Sequence, residues 1–547
     1  MLRYLPSLAS AALLAACEGS TDSSAASDDR SPNARPSTYD EDKTEAFRFL
    51  NQTTFGATES AAAQVIESGY EAWIEDQFSK PASLQLPYLL SLPTPNPVSA
   101  LQADRIDIWF RNAIDGEDQL RQRVAFALSQ LFVVSELGSL SNMPYALASY
   151  YDLLAEHAFG NFRALLEAVT LHPAMGVYLG MLGNAKPDPA SNRQPDENFA
   201  RELLQLFTIG LVELEHDGTP KLDERGEPIP TYDQEIVEGF AHVFTGWSYA
   251  GLSNFRNPTR TVERQTKPMA LYPDFHDTGP KQLLGGVTLP AGQTGEQDLR
   301  DALDNIFRHP NVGPFFSRFM IQRLVASNPS PEYVARVASA FDDNGHGERG
   351  DLRAVVKAML LDEEARSENA SAYPGKLKEP LLKLTQLWRA YHGKPTGERY
   401  GSRSYFRTRL GQGPLQAPSV FNFFSPFYSP PGELADADLV APELEIATEY
   451  YCARFVRLLY EQCFRGNSAP QSTKDTNVLI DIDEELDIAG DAAALVDRVA
   501  HKLLGSRMSA SLRSAAIELA ESVQEPAGKV AEVIFIVAIS PEFAVQT

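Results

Sequence analysis

The sequence predicts a mainly α protein: a large multi-helix globular body with long irregular excursions and at most a small β-hairpin. Three observations carry that reading. Apolar residues recur at three- and four-residue spacing, as in Ala62, Val65, Ile66, Tyr70, Trp73, Ile74 and Phe78. No train of alternating strand patterns interrupts them. A balance of 43% hydrophobic to 22% charged residues is that of a globular chain, and 547 residues are ample for a sizeable core.

Residues 1–17, MLRYLPSLASAALLAAC, carry a basic start at Arg3 and an apolar run too short to be a permanent membrane span. Leu14-Ala15-Ala16-Cys17 matches a bacterial lipobox. The expectation is a lipoprotein signal peptide ending at Cys17, with lipidation of Cys17 by more than one acyl chain, as stable anchoring needs. The competing reading is a plain secretion signal with an incidental cysteine. Glu18 rather than Asp follows Cys17, which by the usual sorting rule permits transport to an outer membrane. Residues 18–42 are Ser, Asp, Ala and Pro with few large apolar side chains, a composition expected to form a disordered tether. The predicted location is exported and lipid-anchored, on the periplasmic face or the outer membrane. The membrane is then a partner through Cys17, alongside a protein or glycan partner in the envelope. A net charge of −25 leaves no basic field to meet phosphates, which excludes nucleic acid.

The body is expected over 43–466, with 467–547 as a C-terminal helical segment packed on it. Ala46, Phe49 and Leu50 before Phe55-Gly56 read as a short helix ended by glycine. Helices follow at Glu59–Phe78, Asp118–Ser135, Ala146–Phe159 and Phe162–Val177. Residues 211–232 and 248–295 break the rhythm with prolines, Asp217-Gly218 and "VTLPAG", which fits a hairpin or an irregular excursion. Between them Asp233–Trp247 is a helix with Glu235, Glu238 and His242 on one face. Helices resume at Leu299–His309, Gly313–Ser327, Pro331–Phe341, Leu352–Leu361 and Leu377–His392. Gly401–Pro442 should be ordered coil, and "IDIDEELDIAGD" an acidic linker before the closing helices. Asp342–Glu348 lacks the twelve-position calcium spacing and reads as a hydrated turn.

The most informative stretch is Pro195–Gly210. Asp196 is an N-cap candidate, Glu197 adds charge to the first turn, and Gly210 suits the position after the last turn. Phe199, Leu203, Leu206 and Phe207 form an apolar stripe opposite Glu197, Arg201 and Gln205. Asn198 and Glu202 lie on the border between faces. An ordinary surface helix places its ion pairs in the same way.

The run "RQPDENFARELLQLFTIGL" resembles the signature of a bacterial family known as domain of unknown function 1800. "RFLNQTTFGAT", "LRQRVAFALSQLFVVS", "YYDLLAEHAFGNFRALLEAVTLHPAM", "FTGW", "HDTGPKQLLGG" and "PLQAPSVFNFF" resemble its other motifs in the same order, over roughly 45–450. The resemblance implies a helical envelope protein and supplies no activity.

Chemistry has one focus. His276 beside Asp277 in a Gly-Pro turn, with Lys281, gathers an imidazole, a carboxylate and an ammonium in a few residues. A divalent metal is the candidate cofactor, with His276 and Asp277 as its ligands. The bland alternative has Asp277 capping the turn and His276 stacking on aromatics. Glu235/Glu238/His242 has ligand-like spacing but not the His-Glu-x-x-His order. Related sequences more often carry Arg at the His242 position, which argues against His242 as a ligand. Asn422 among aromatics either orients a ligand or is a satisfied buried amide. No Gly-x-Ser-x-Gly elbow, phosphate loop or dinucleotide fingerprint occurs. Cys452 and Cys463 would lie about 16 Å apart on one straight helix. They either bridge across a break at "YEQCFRGN" or stand as thiols.

Three readings follow. One is a metal-assisted envelope enzyme with Glu202, Arg201, His276, Asp277 and Lys281 as catalytic residues, and Asn198, Glu197, Trp247 and Asn422 binding. The second is a binding or assembly lipoprotein in which these residues brace the body. The third is a glycan-active protein pairing Glu202 with Asp277.

Overall fold

Apolar spacing becomes helix along the chain, and the structure is 56% helical. It is a computed structural model, and it describes residues 41–93, 97–367, 371–465 and 478–546. Cys17, the leader and nearly all of the expected tether lie outside the described residues. The first helix, Glu41–Thr53, already includes the last two positions assigned to the tether. Helix starts are fixed by side chains that accept a backbone N–H, among them Thr58, Asn161, Asp233, Thr294 and Asp351.

One hydrophobic core runs from Phe47 to Phe543, so the C-terminal helices bury their apolar faces in the same core as the first. At its centre Trp109 meets Phe55 and Phe126 at ring separations of 5.2 and 5.5 Å, and Phe110 meets Trp388 at 5.5 Å. Edge-to-face contacts of this kind add about 1 kcal/mol each to the area they bury.

Three expected elements differ. Glu59–Phe78 is two helices, Glu59–Ser68 and Tyr70–Ser79, because Gly69 takes a φ of 83° that breaks the run. Phe162–Val177 divides at His172-Pro173, where Pro173 cannot donate to the preceding turn. The "IDIDEELDIAGD" stretch is folded: Asp483–Asp487 is helical, and Glu485 is fully buried with Lys502 Nζ at 2.8 Å.

Strands are confined to two-residue antiparallel pairs: Trp247–Ser248 with Ala270–Leu271, Lys281–Gln282 with Thr288–Leu289, Lys376–Leu377 with Val545–Gln546, and Lys394–Pro395 with Val478–Leu479. The first two organise the irregular excursion. The last two clip the C-terminal part to the body. Among the described residues no helix is long and apolar enough to cross a membrane.

The disulfide reading is corrected. The Glu449–Tyr460 helix passes directly into a π-type turn, Glu461–Arg465, so the expected break does not occur and Cys452 and Cys463 are both thiols. Cys452 Sγ faces the Ala447 carbonyl at 3.4 Å. Burial pushes the Cys463 thiol far above its usual range.

A second correction concerns Asn422. It is buried at a φ of 68°, and its amide donates to Gln130 Oε1 at 3.1 Å. Gln130 in turn donates to Glu379 Oε2 at 2.9 Å. Asn422 thus belongs to a polar knot with Glu379 and Gln412, separate from the bonds around His276.

Candidate functional site

Pro195–Gly210 folds as a short α-helix, Asn198–Glu202, running into a π-type turn, Leu203–Thr208. The wider turn lets Ile209 N donate to Leu204 O, and Gly210 closes it at a φ of 73°. Phe199, Leu203 and Phe207 enter the core as the spacing predicts. Asp196 caps the start, its Oδ1 accepting from Asn198 N at 2.9 Å.

The polar face is tied to its surroundings. Arg201 Nη2 donates to Glu197 Oε2 at 2.8 Å and to Gln234 Oε1 at 3.1 Å. Gln234 Nε2 returns to Glu197 at 2.9 Å. This half-exposed ring joins the helix to the next one, Gln234–Val243, and contributes little by charge alone. Asn198 Nδ2 donates to Leu179 O at 3.3 Å.

Leu179–Lys186 is the bracket between the helix and the histidine loop. Asn184 holds both backbone groups of Asp196, accepting from its N–H at 2.9 Å and donating to its carbonyl at 3.2 Å. On the other side Asn184 O accepts from Gly246 N, and Gly183 N donates to Trp247 O, both at 2.8 Å. Lys186 N donates to Phe275 O at 2.8 Å.

His276 lies under this bracket, 1% exposed. Its Nε2 is 2.9 Å from Asp298 Oδ2 and its Nδ1 3.0 Å from Thr245 O. Lys281 Nζ reaches Asp298 Oδ2 at 2.6 Å, Asp277 O at 2.7 Å and Gly279 O at 2.8 Å, which uses all three ammonium protons. Gly246 is required here, since a Cβ on it would stand 2.9 Å from His276 N. Thr245 is the hub: its hydroxyl donates to His242 O at 2.7 Å and accepts from Asp277 N at 2.9 Å.

Asp277 does not share a centre with His276. Its Oδ2 pairs with His242 Nδ1, and its Oδ1 accepts from Gly279 N at 2.7 Å. The His242 bond, together with Gly279 N–H, holds the carboxyl down to about 2 against the opposing pull of burial. Both ring nitrogens of His276 face protein oxygens, and both Asp277 oxygens are occupied. The expected His276–Asp277 metal pair is therefore corrected: no lone pair of His276 is directed where Asp277 could share a ligand. Among the described residues no group of three or more His, Cys, Asp or Glu side chains is arranged to hold a metal ion.

Glu202 stands apart. No hydrogen bond or ion pair joins it to His276 among the described residues, and the Gln234–Val243 helix packs against both neighbourhoods. On that helix Gly239 sits so close to the Lys281–Gln282 strand that a Cβ would overlap Gln282 O. Glu202 is 8% exposed, its Oε2 is buried without a hydrogen-bond partner, and burial raises its pKa. Tyr178 and Tyr232 lie within its electrostatic reach, both pushed up to about 12, by burial first. Glu202 and His276 are thus linked through the Gln234–Val243 helix, with no bond between them among the described residues. Trp247 is a buried strand residue paired with Leu271, and its indole N–H has no partner.

Sequence reasoning missed Asn184, Thr245 and Asp298, and the pairing of His242 with Asp277. Thr245 sits inside the "FTGW" motif, which gave a signal. Asp298 looks like any first-turn acid of the Gly295–Phe307 helix, and nothing in its context announces a buried partner.

Fold and site define a helical body whose motif residues form a buried polar brace. The family model for DUF1800, a protein family of unknown function, matches residues 48–545, and the chain belongs to that family. No curated protein and no solved structure matches the chain.

Proposed function

We propose that this is an exported, lipid-anchored envelope protein that binds or assembles, and that its family motifs hold the body together instead of performing chemistry. One observation supports the bracing role above others. His276 commits both ring nitrogens, Lys281 its ammonium and Asp277 both carboxylate oxygens to bonds within the chain. A catalytic group needs at least one atom directed at a reactant. Export and anchoring rest on the leader and its lipobox at Cys17. The test of anchoring is mass spectrometry of the membrane fraction: an acylated Cys17 is expected, and Cys17→Ser should release the protein. Recovery of the wild-type chain unacylated and soluble would overturn that part.

A second reading keeps the glycan-active alternative at Glu202 alone, because its raised carboxyl and partnerless Oε2 resemble a general acid in an apolar setting. Asp277 cannot be its partner while pinned by His242. Cell-wall glycan turnover abolished by Glu202→Gln with unchanged stability would favour this reading; no turnover in the wild type would remove it.

A further inference from the structure

Apart from the His276 neighbourhood, the first helix, Glu41–Thr53, meets the last strand, Val545–Gln546, around a cavity of about 370 Å³. Its wall includes Phe47, Arg48, Lys378, Leu504, Arg507 and Val545. We propose that this cavity binds a phosphate ester, the anion seated between Arg48, Lys378 and Arg507 and the carbon part against Phe47, Leu504 and Val545.

The charge balance points to an anion. Arg48 is 5% exposed, and its Nε is buried with no hydrogen-bond partner. Its Nη1 donates to Arg366 O at 2.8 Å, beside Arg366, whose own Nε and Nη1 are buried and unpartnered. Lys378 is 4% exposed and is held only by neutral groups, Gln386 Oε1 and Phe543 O, both at 2.8 Å. Burial pushes it down to about 7, with Lys383 adding to the effect. Glu45 Oε2 pairs with Arg48 at 3.3 Å. The carboxylate in the wall, Glu542, is already committed to Ser509, accepting from its N–H at 2.9 Å and its hydroxyl at 2.5 Å. Burying the Lys378 ammonium against neutral oxygens, beside the unpartnered Arg48 Nε, is costly unless an anion compensates it. The volume exceeds that of a bare ion by far, since a water in the liquid occupies about 30 Å³. The apolar walls suit the carbon portion of an ester, and Arg is the side chain best shaped for phosphate oxygens. The plain alternative is that Lys378 merely caps the end of the Pro541–Ala544 helix through Phe543 O.

The inference is independent of the bracing role and of the anchor. It is tested on the mature chain purified without acyl groups, by calorimetric titration with glycerol 3-phosphate and by sedimentation with phosphatidylglycerol or phosphatidylcholine vesicles. Saturable binding of glycerol 3-phosphate, weakened at least tenfold in Arg507→Gln, is the expected result and assigns a soluble ester. Retention on phosphatidylglycerol but not phosphatidylcholine vesicles, lost in Arg507→Gln, would equally support the site and assign a lipid headgroup. Arg507 is 26% exposed in its side chain, so this variant should fold, which its unfolding midpoint checks. Lys378→Met gives a second, independent loss. Absence of saturable binding to either probe overturns the proposal, as does binding unchanged in both variants.

Discussion

Two buried charged regions of this molecule are built in opposite ways. Around His276 cations and anions alternate, and the ammonium of Lys281 and both nitrogens of His276 find partners in the same chain. Around Lys378 and Arg48 a buried ammonium meets neutral oxygens, and guanidinium N–H groups are left without partners. The first region carries recognisable motifs and leaves Asp298 Oδ1 as a buried oxygen without a partner. The second takes Arg48 from "RFLNQTTFGAT" and its other cations from outside the motifs, and it encloses a cavity. The difference teaches that motif residues serve two ends: around His276 they bind one another, while Arg48 keeps an unpartnered N–H beside a cavity.

The predictions test that contrast, from the largest effect down. His276→Ala should lower stability by about 3–5 kcal/mol, because it strips one partner from a buried charged cluster and leaves a cavity. Urea unfolding reads this. A loss below about 1 kcal/mol would place His276 outside the brace. Asn184→Ala removes both bonds to the Asp196 backbone and should cost about 1–2 kcal/mol, since two part-buried backbone groups lose their partners. Hydrogen exchange should also show the Asp196 amide losing protection first. A fall no larger than that of a surface alanine would break the bracket.

Asp277 supplies the pH test. Its folded pKa, about 2, lies below the ordinary 3.8, so its contribution is present above about pH 4 and lost as pH falls towards 2. Asp277→Asn should flatten stability against pH across that window. His242→Arg should preserve the pair and leave stability within about 1 kcal/mol of wild type. The smallest effect is expected for Glu202→Gln. The raised carboxyl means that stability falls as pH rises above 4.5 towards its folded value. The amide removes that slope, with a net change at neutral pH under about 1 kcal/mol.

Much of the fold was legible because apolar spacing reports helix directly. The Val98–Asp115 helix escaped for an instructive reason. Its buried face carries Gln102, Asp104, Arg105 and Asp107 among the apolar residues, so the stripe is disguised by charges whose partners lie elsewhere. Arg105 meets Glu136 at 2.6 Å and Asp104 meets Arg399, separations of 31 and 295 positions that no local pattern carries. The site was half legible for the same reason. Motifs placed His276, Asp277 and Lys281 together, but Asp298 and Asn184 come from segments that look ordinary alone. Glu202 and His276 read as one site because sequence does not show that His276 is bonded to Asp298 and Thr245 instead.

The most direct measurement is equilibrium unfolding of His276→Ala in the mature chain beside a binding titration of the same protein with glycerol 3-phosphate. A brace predicts a large stability loss with the ligand affinity of the folded fraction unchanged. Full stability, with a ligand or substrate function abolished, would contradict it and return the histidine to the chemistry.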